Sequence, residues 1–103
     1  MTKPLEVIIT PKAADDLSAT WAWLSERNPR AADEWVSGIR SLILGLGVSP
    51  DTHPTAPESQ AFDMPIRRAL YGKGTRWRIY YTVLNGAVHV LHVRHGRRSD
   101  WRP

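Results

Sequence analysis

The chain has 103 residues, enough for one domain (1–103) whose single core hides about two-thirds of the surface that the unfolded chain exposes. It contains no cysteine, which excludes disulfides and cysteine-ligated zinc or iron–sulfur centres. Its net charge of +4 is unevenly placed: five basic residues stand against nine acidic ones up to Pro65 (−4), whereas from Ile66 onward nine basic residues meet only Asp100 (+8).

An Arg-rich half suits polyanions, because a planar guanidinium grips a phosphate with two hydrogen bonds where a lysine acts as a point charge. Nucleic acid or an acidic protein segment is the partner this charge pattern suggests. No apolar run at the start has signal-peptide length, and none approaches the ~20 residues of a membrane span, so a cytoplasmic protein with no membrane partner is expected.

Leu5 to Thr10 is β-branched and reads as a strand. Thr10-Pro11 is a helix start, with Thr as N-cap and Pro in the first turn, where its missing N–H costs nothing. Ala13, Leu17, Trp21 and Leu24 recur at helical spacing, which places Trp21 in the core, and the helix should stop near Asn28-Pro29. Asn28 then caps a second helix with Ala31, Ala32, Trp35, Ile39, Leu42, Ile43 and Leu46 on one stripe, weakened and ended by Gly45 and Gly47. Two helices so closely linked form a hairpin. The paired carboxylates Asp15-Asp16 and Asp33-Glu34 read as first-turn residues that complement the helix dipoles.

Four prolines interrupt residues 48–65, so this stretch reads as a long loop. Strand signals follow at Ile66–Tyr71, Arg76–Leu84 and Ala87–His95, separated by Gly72-Lys73-Gly74 and by Asn85-Gly86, a tight-turn pair because both residues accept positive φ. The order β-α-α-β-β-β predicts an α+β fold, a small antiparallel sheet packed against an N-terminal helical hairpin. Alternation sends Trp77, Ile79, Tyr81 and Val83 toward the helices and Arg76, Arg78, Tyr80 and Thr82 outward. The last strand mixes apolar and polar residues on both of its faces, and its pattern does not choose between them.

Arg67, Arg68, Lys73, Arg76, Tyr80 and Arg94 are the candidate nucleic-acid contacts, on strands and in a glycine turn. Trp23 lies off the Trp21 line, which makes it a candidate partner contact, and Trp101 in the basic tail is a second. No His or carboxylate pair has metal-ligand spacing, and no motif calls for a cofactor, so neither is expected.

The element order, together with Trp77-Arg78-Ile79-Tyr80-Tyr81, Val88-His89-Val90-Leu91-His92-Val93-Arg94-His95-Gly96-Arg97-Arg98 and Ala13-Ala14-Asp15-Asp16-Leu17, resembles the RelE/ParE superfamily of bacterial toxins. The resemblance spans nearly the whole chain. It implies the growth-inhibiting toxin of a type II toxin–antitoxin module of the plasmid-stabilization kind, captured by a cognate antitoxin in a dimer or heterotetramer. RelE-like members are RNA-binding endoribonucleases that cleave mRNA on the ribosome; ParE-like members inhibit DNA gyrase without catalysis.

By resemblance Arg78 stands where RelE-like enzymes keep a catalytic arginine, and Arg67 stands near a basic residue of the preceding strand. Arg97-Arg98-Ser99-Asp100 matches the tail that precedes the RelE tyrosine, but Arg102 takes the tyrosine's place. RNA cleavage by 2′-hydroxyl attack needs a base, cations for the phosphorane and an acid for the leaving oxygen. His95, flanked by Arg94 and Arg97, with Arg78, Arg97 and Arg98, is the candidate catalytic set. Ribosome-associated mRNA cleavage is the expected activity; gyrase inhibition and a non-toxic nucleic-acid-binding relative are the alternatives.

Overall fold

A computed structural model of the chain describes residues 3–72, 76–96 and 101. Strand β1 (Glu6–Ile9) leads into helices α1 (Pro11–Arg27) and α2 (Pro29–Gly45), a 3-10 segment spans Pro57–Phe62, and β2 (Arg67–Tyr71), β3 (Trp77–Leu84) and β4 (Ala87–His95) follow. The strands lie in the order β1-β4-β3-β2. β2, β3 and β4 form an antiparallel meander, and β1 joins β4 in parallel, with Val7 opposite Val88 and Ile9 opposite Val90. The sheet is therefore mixed, because the helical hairpin separates β1 from β4 and no tight turn dictates their relative direction.

Two residues organise the hairpin. The Thr10 hydroxyl accepts from Ala13 N at 3.4 Å and donates to Val90 O at 2.7 Å, so the cap of α1 is also a tie to β4. Asn28 donates its backbone N–H to Leu24 O at 2.8 Å and its side chain accepts from Ala31 N at 3.2 Å, closing one helix and opening the next. Ala13, Ile39, Ile43 and Leu46 meet Ala69, Ile79, Tyr81, Val88, Val90 and Val93 between helices and sheet, with Trp35 packed at the margin against Trp77 at 5.1 Å between ring centroids.

Two helix expectations and one strand expectation need correction. Trp21 is 42% exposed and donates its indole N–H to Asp33 at 3.3 Å, so the surface position won over the apparent stripe. Neither helix carries an acidic residue in its first turn: with Thr10 and Asn28 as caps, both carboxylate pairs fall beyond the orphan N–H groups. Val83, next but one to the Asn85-Gly86 turn, is 40% exposed rather than covered by the helices.

The mixed pattern of β4 has a geometric cause. Tyr80 pairs with His92 and Tyr81 with Val90, leaving Leu91 as an extra residue in a β-bulge. The bulge resets the alternation, so Val88 and Val90 before it and Val93 and His95 after it share the helix side.

The opposite side of the sheet is also covered, against expectation. Within the proline-rich loop, Ala56 N bonds Ile66 O at 2.7 Å, and Ser59 Oγ donates to Met64 O and accepts from Ile66 N. This lays the 3-10 segment across the strands, where Ala56, Ile66 and Tyr80 form a second cluster with Phe62, Leu91 and Trp101. Tyr80 is fully buried and Thr82 is buried with its hydroxyl donating to Pro65 O at 2.7 Å. The outward placement of both is overturned: strand alternation separates two faces, but sequence distance hid the strap that covers one of them.

Candidate functional site

Two rows of side chains cross the strap-side face: Arg68, Tyr80 and His92 in one, and Leu70, Arg78 and Arg94 in the next. Three of the predicted phosphate-contacting residues, Arg68, Tyr80 and Arg94, thus lie together with Arg78. Arg67 points to the other face and holds the loop instead, donating to His53 O at 2.5 Å and facing Asp51 at 3.7 Å. Arg76 is exposed just ahead of β3. Lys73, Arg97 and Arg98 lie outside the described residues.

His95 does not join Arg78. The register sets His95 opposite Trp77 and Arg78 opposite Arg94, so the predicted base and the predicted phosphate-binding arginine occupy opposite faces of the sheet. The His95 ring instead stands edge-on to Trp77, 5.0 Å between centroids.

The buried groups around Tyr80 form one network that sequence reasoning missed. The Tyr80 hydroxyl donates to Glu58 Oε2, and the Arg68 guanidinium stands 3.9 Å from Glu58 Oε1. Burial raises the Glu58 carboxyl, but the Tyr80 hydroxyl, backbone N–H groups including that of Trp101, and the Arg68 charge outweigh it and hold the acid below its ordinary range. Burial and Glu58 together push the Tyr80 phenol up, with Arg78 opposing, so it remains a proton donor. Trp101, the predicted partner contact, is half-buried over this network, 4.1 Å from Phe62, 5.0 Å from Tyr80 and 4.9 Å from His92.

A cleft of about 690 Å³ opens along the β4 edge, between Asp16, Thr20, Trp23 and Leu24 of α1 and Arg76, Trp77, Arg94 and His95 of the strands. Trp23 is 53% exposed at its rim, with the Arg27 guanidinium stacked 4.0 Å from its ring. Apolar walls with cationic groups at the strand side suit an amphipathic segment carrying acids. Among the described residues no cluster of His and carboxylates could hold a metal ion, and no helix is long and apolar enough to cross a membrane.

A helical hairpin on a four-stranded sheet, with an arginine-rich strand face and an open cleft beside the first helix, defines a small basic α+β domain. The model of the ParE toxin of type II toxin–antitoxin systems, parDE, matches residues 7–100, and the chain belongs to that family. It is also similar to Toxin RelE1 of Caulobacter vibrioides, with 26% identity over 91 residues that cover 87% of this chain and 91% of that protein. The fold matches the solved chromosomal ParDE TA system from P. aeruginosa with a TM-score of 0.71 over 88% of this chain and 95% of that one, at 17% identity.

Proposed function

We propose that this type II toxin acts by binding a protein target, with DNA gyrase as the target, and that it does not cut RNA. The observation that carries this is the separation of Arg78 from His95 across the sheet, with Tyr80 sealed beneath Glu58 and Trp101. A nuclease needs base, acid and phosphate-binding cation within reach of one scissile phosphate. Here the expected base faces the helix layer, and the phenol on the arginine face is closed to solvent. Membership of the ParE family agrees with a non-catalytic mode.

A cognate antitoxin is the second partner in this reading. The cleft lined by Trp23 and Leu24 and flanked by Arg76 is the surface we assign to it, because its apolar walls and cations complement an acidic amphipathic segment. Assembly as a dimer or heterotetramer with that antitoxin follows from the same assignment, as does a cytoplasmic location beside the gyrase target.

One observation favours the rival reading of ribosome-associated mRNA cleavage: Arg68, Arg78, Tyr80, Glu58 and His92 gather on one face, which supplies cations and acid–base groups to any phosphate that reaches it. The test is a gyrase supercoiling assay with purified toxin, run beside primer-extension mapping of mRNA ends in cells expressing it. Inhibited supercoiling with intact mRNA supports the gyrase reading; new mRNA ends with supercoiling unaffected overturns it.

A further inference from the structure

The strap and the arginine face meet at a single carboxylate. Glu58 is 5% exposed; its Oε2 accepts from the Tyr80 hydroxyl, and its Oε1, which accepts no hydrogen bond among the described residues, lies 3.9 Å from the Arg68 guanidinium. A hydroxyl and a guanidinium facing one buried anion are donors of the kind that hold a phosphate group. Arg78 stands in the neighbouring row and acts on the same Tyr80 hydroxyl.

Glu58 belongs to a short segment with its own supports. Pro57 opens the 3-10 turn, Ser59 holds Met64 and Ile66, and Asp63 ends the turn at φ 52. The segment therefore delivers one anion to the sheet and fixes it there by contacts on either side. The Tyr80 and Arg68 groups would be retained in a chain that lacked the carboxylate, because β2 and β3 position them independently of the strap.

We propose that Glu58 occupies a phosphate-binding site on the strap side of the sheet, built from Arg68 and the Tyr80 hydroxyl, and keeps it closed by acting as an internal anion. The ligand class is a phosphate group, either free or in a nucleic-acid backbone. This site is separate from the cleft assigned to the antitoxin, and it does not depend on which target the toxin inhibits.

The experiment uses the purified full chain and inorganic phosphate as probe, read by calorimetry and by NMR shifts of the Tyr80 and Trp101 signals. Glu58→Ala should bind phosphate at least about tenfold more tightly than wild type, a difference of about 1.4 kcal/mol. Glu58→Ala combined with Arg68→Ala should lose the gain. Glu58→Ser, which also removes the carboxylate and vacates its place, replaces the alanine variant if that one fails to fold. A short RNA oligonucleotide that displaces the phosphate assigns the site to a nucleic-acid backbone, and one that does not assigns it to the free anion. A folded Glu58 variant that binds phosphate no better than wild type overturns the proposal, as does a gain that survives removal of Arg68.

Discussion

Asp16 of α1 reaches the edge of β4 and meets His92: one carboxylate oxygen lies 2.5 Å from the ring's Nδ1 and 3.0 Å from the backbone N of Val93. β1 ends at its pairing with Val90, so Asp16 takes over the edge donor that a longer β1 would have satisfied. The Lys12 ammonium holds the other oxygen at 2.9 Å. The contact joins the two faces of the domain, since the His92 ring also stacks with Tyr80 and meets Trp101 on the strap side.

This pin makes stability fall on acidification. Burial holds the His92 pKa below its ordinary value, with Lys12 and Arg94 acting in the same sense and Asp16 against them. Unfolded His92 takes up a proton near its ordinary pKa of about 6.5 and the native ring does so only at lower pH, so the unfolded chain binds more protons and stability declines from about pH 6.5 downward. Burial raises Asp16, but the Val93 N–H, Lys12 and His92 together leave it lowered, so its contribution is present above the ordinary carboxylate pKa and lost as pH falls through the folded one. The melting temperature should drop between about pH 7.5 and pH 5, and His92→Gln should flatten the upper part of that fall. Equal slopes for both proteins would remove His92 as the cause.

Two glycines at the end of α2 should respond in opposite ways. A Cβ on Gly47 would lie 2.4 Å from Leu5 O, backbone that is held in place by the Leu5 N to Gly47 O bond of 2.8 Å, whereas a Cβ on Gly45 meets nothing within 4 Å. Gly47→Ala should cost about 1–3 kcal/mol through forced backbone movement. Gly45→Ala should stabilise by about 0.5–1 kcal/mol, because alanine loses less chain entropy in a helix. Paired denaturant melts read both differences.

The same contrast shows what the sequence could and could not disclose. The element order was legible because Thr10-Pro11, Asn28-Pro29 and Asn85-Gly86 are local signals whose geometry is set by neighbouring residues. The strap-side placement of Arg78 followed from alternation, whereas its pairing with Arg94 came only from the register. The Leu91 bulge was not readable, since one extra residue flips every later side chain without leaving a compositional mark. Glu58 was hidden for a different reason: 22 residues separate it from Tyr80, and only the folded loop brings a proline-flanked glutamate under the sheet. Asp16 looked like a dipole partner because its long-range bonds to His92 and Val93 have no local signature. A carboxylate six residues past the N-cap was the available clue.

Trp23 should matter to antitoxin capture and Trp21 should not. Both are exposed on α1, but Trp23 lines the cleft, whereas Trp21 is turned to Asp33 on the second helix. Truncating a central aromatic of an interface often costs 2 kcal/mol or more, a roughly thirtyfold loss. Trp23→Ala should weaken the complex with the cognate antitoxin by about that factor in a calorimetric titration, with Trp21→Ala close to wild type. The reverse order would place the antitoxin on the helix–helix side rather than in the cleft.

Arg78 and His95 supply the decisive pair for the mode of toxicity. A preorganised cation that stabilises a scissile phosphate is typically worth roughly 10²–10³ in rate, so in a nuclease Arg78→Ala would abolish growth arrest and the mRNA ends with it. In the gyrase reading Arg78 is a structural neighbour of Tyr80 and Gly96, its Nε only 3.4 Å from where a Gly96 Cβ would stand, and no rate depends on it. Arg78→Ala should then keep most of the supercoiling inhibition, provided its melting temperature stays within a few degrees of wild type. His95→Gln tests the opposite face: His95 packs on Trp77 and lines the cleft, so it should alter antitoxin affinity and leave gyrase inhibition in place. Loss of toxicity in a folded Arg78→Ala protein, accompanied by disappearance of mapped mRNA ends, would return the chain to the nuclease branch despite the two residues lying on opposite faces.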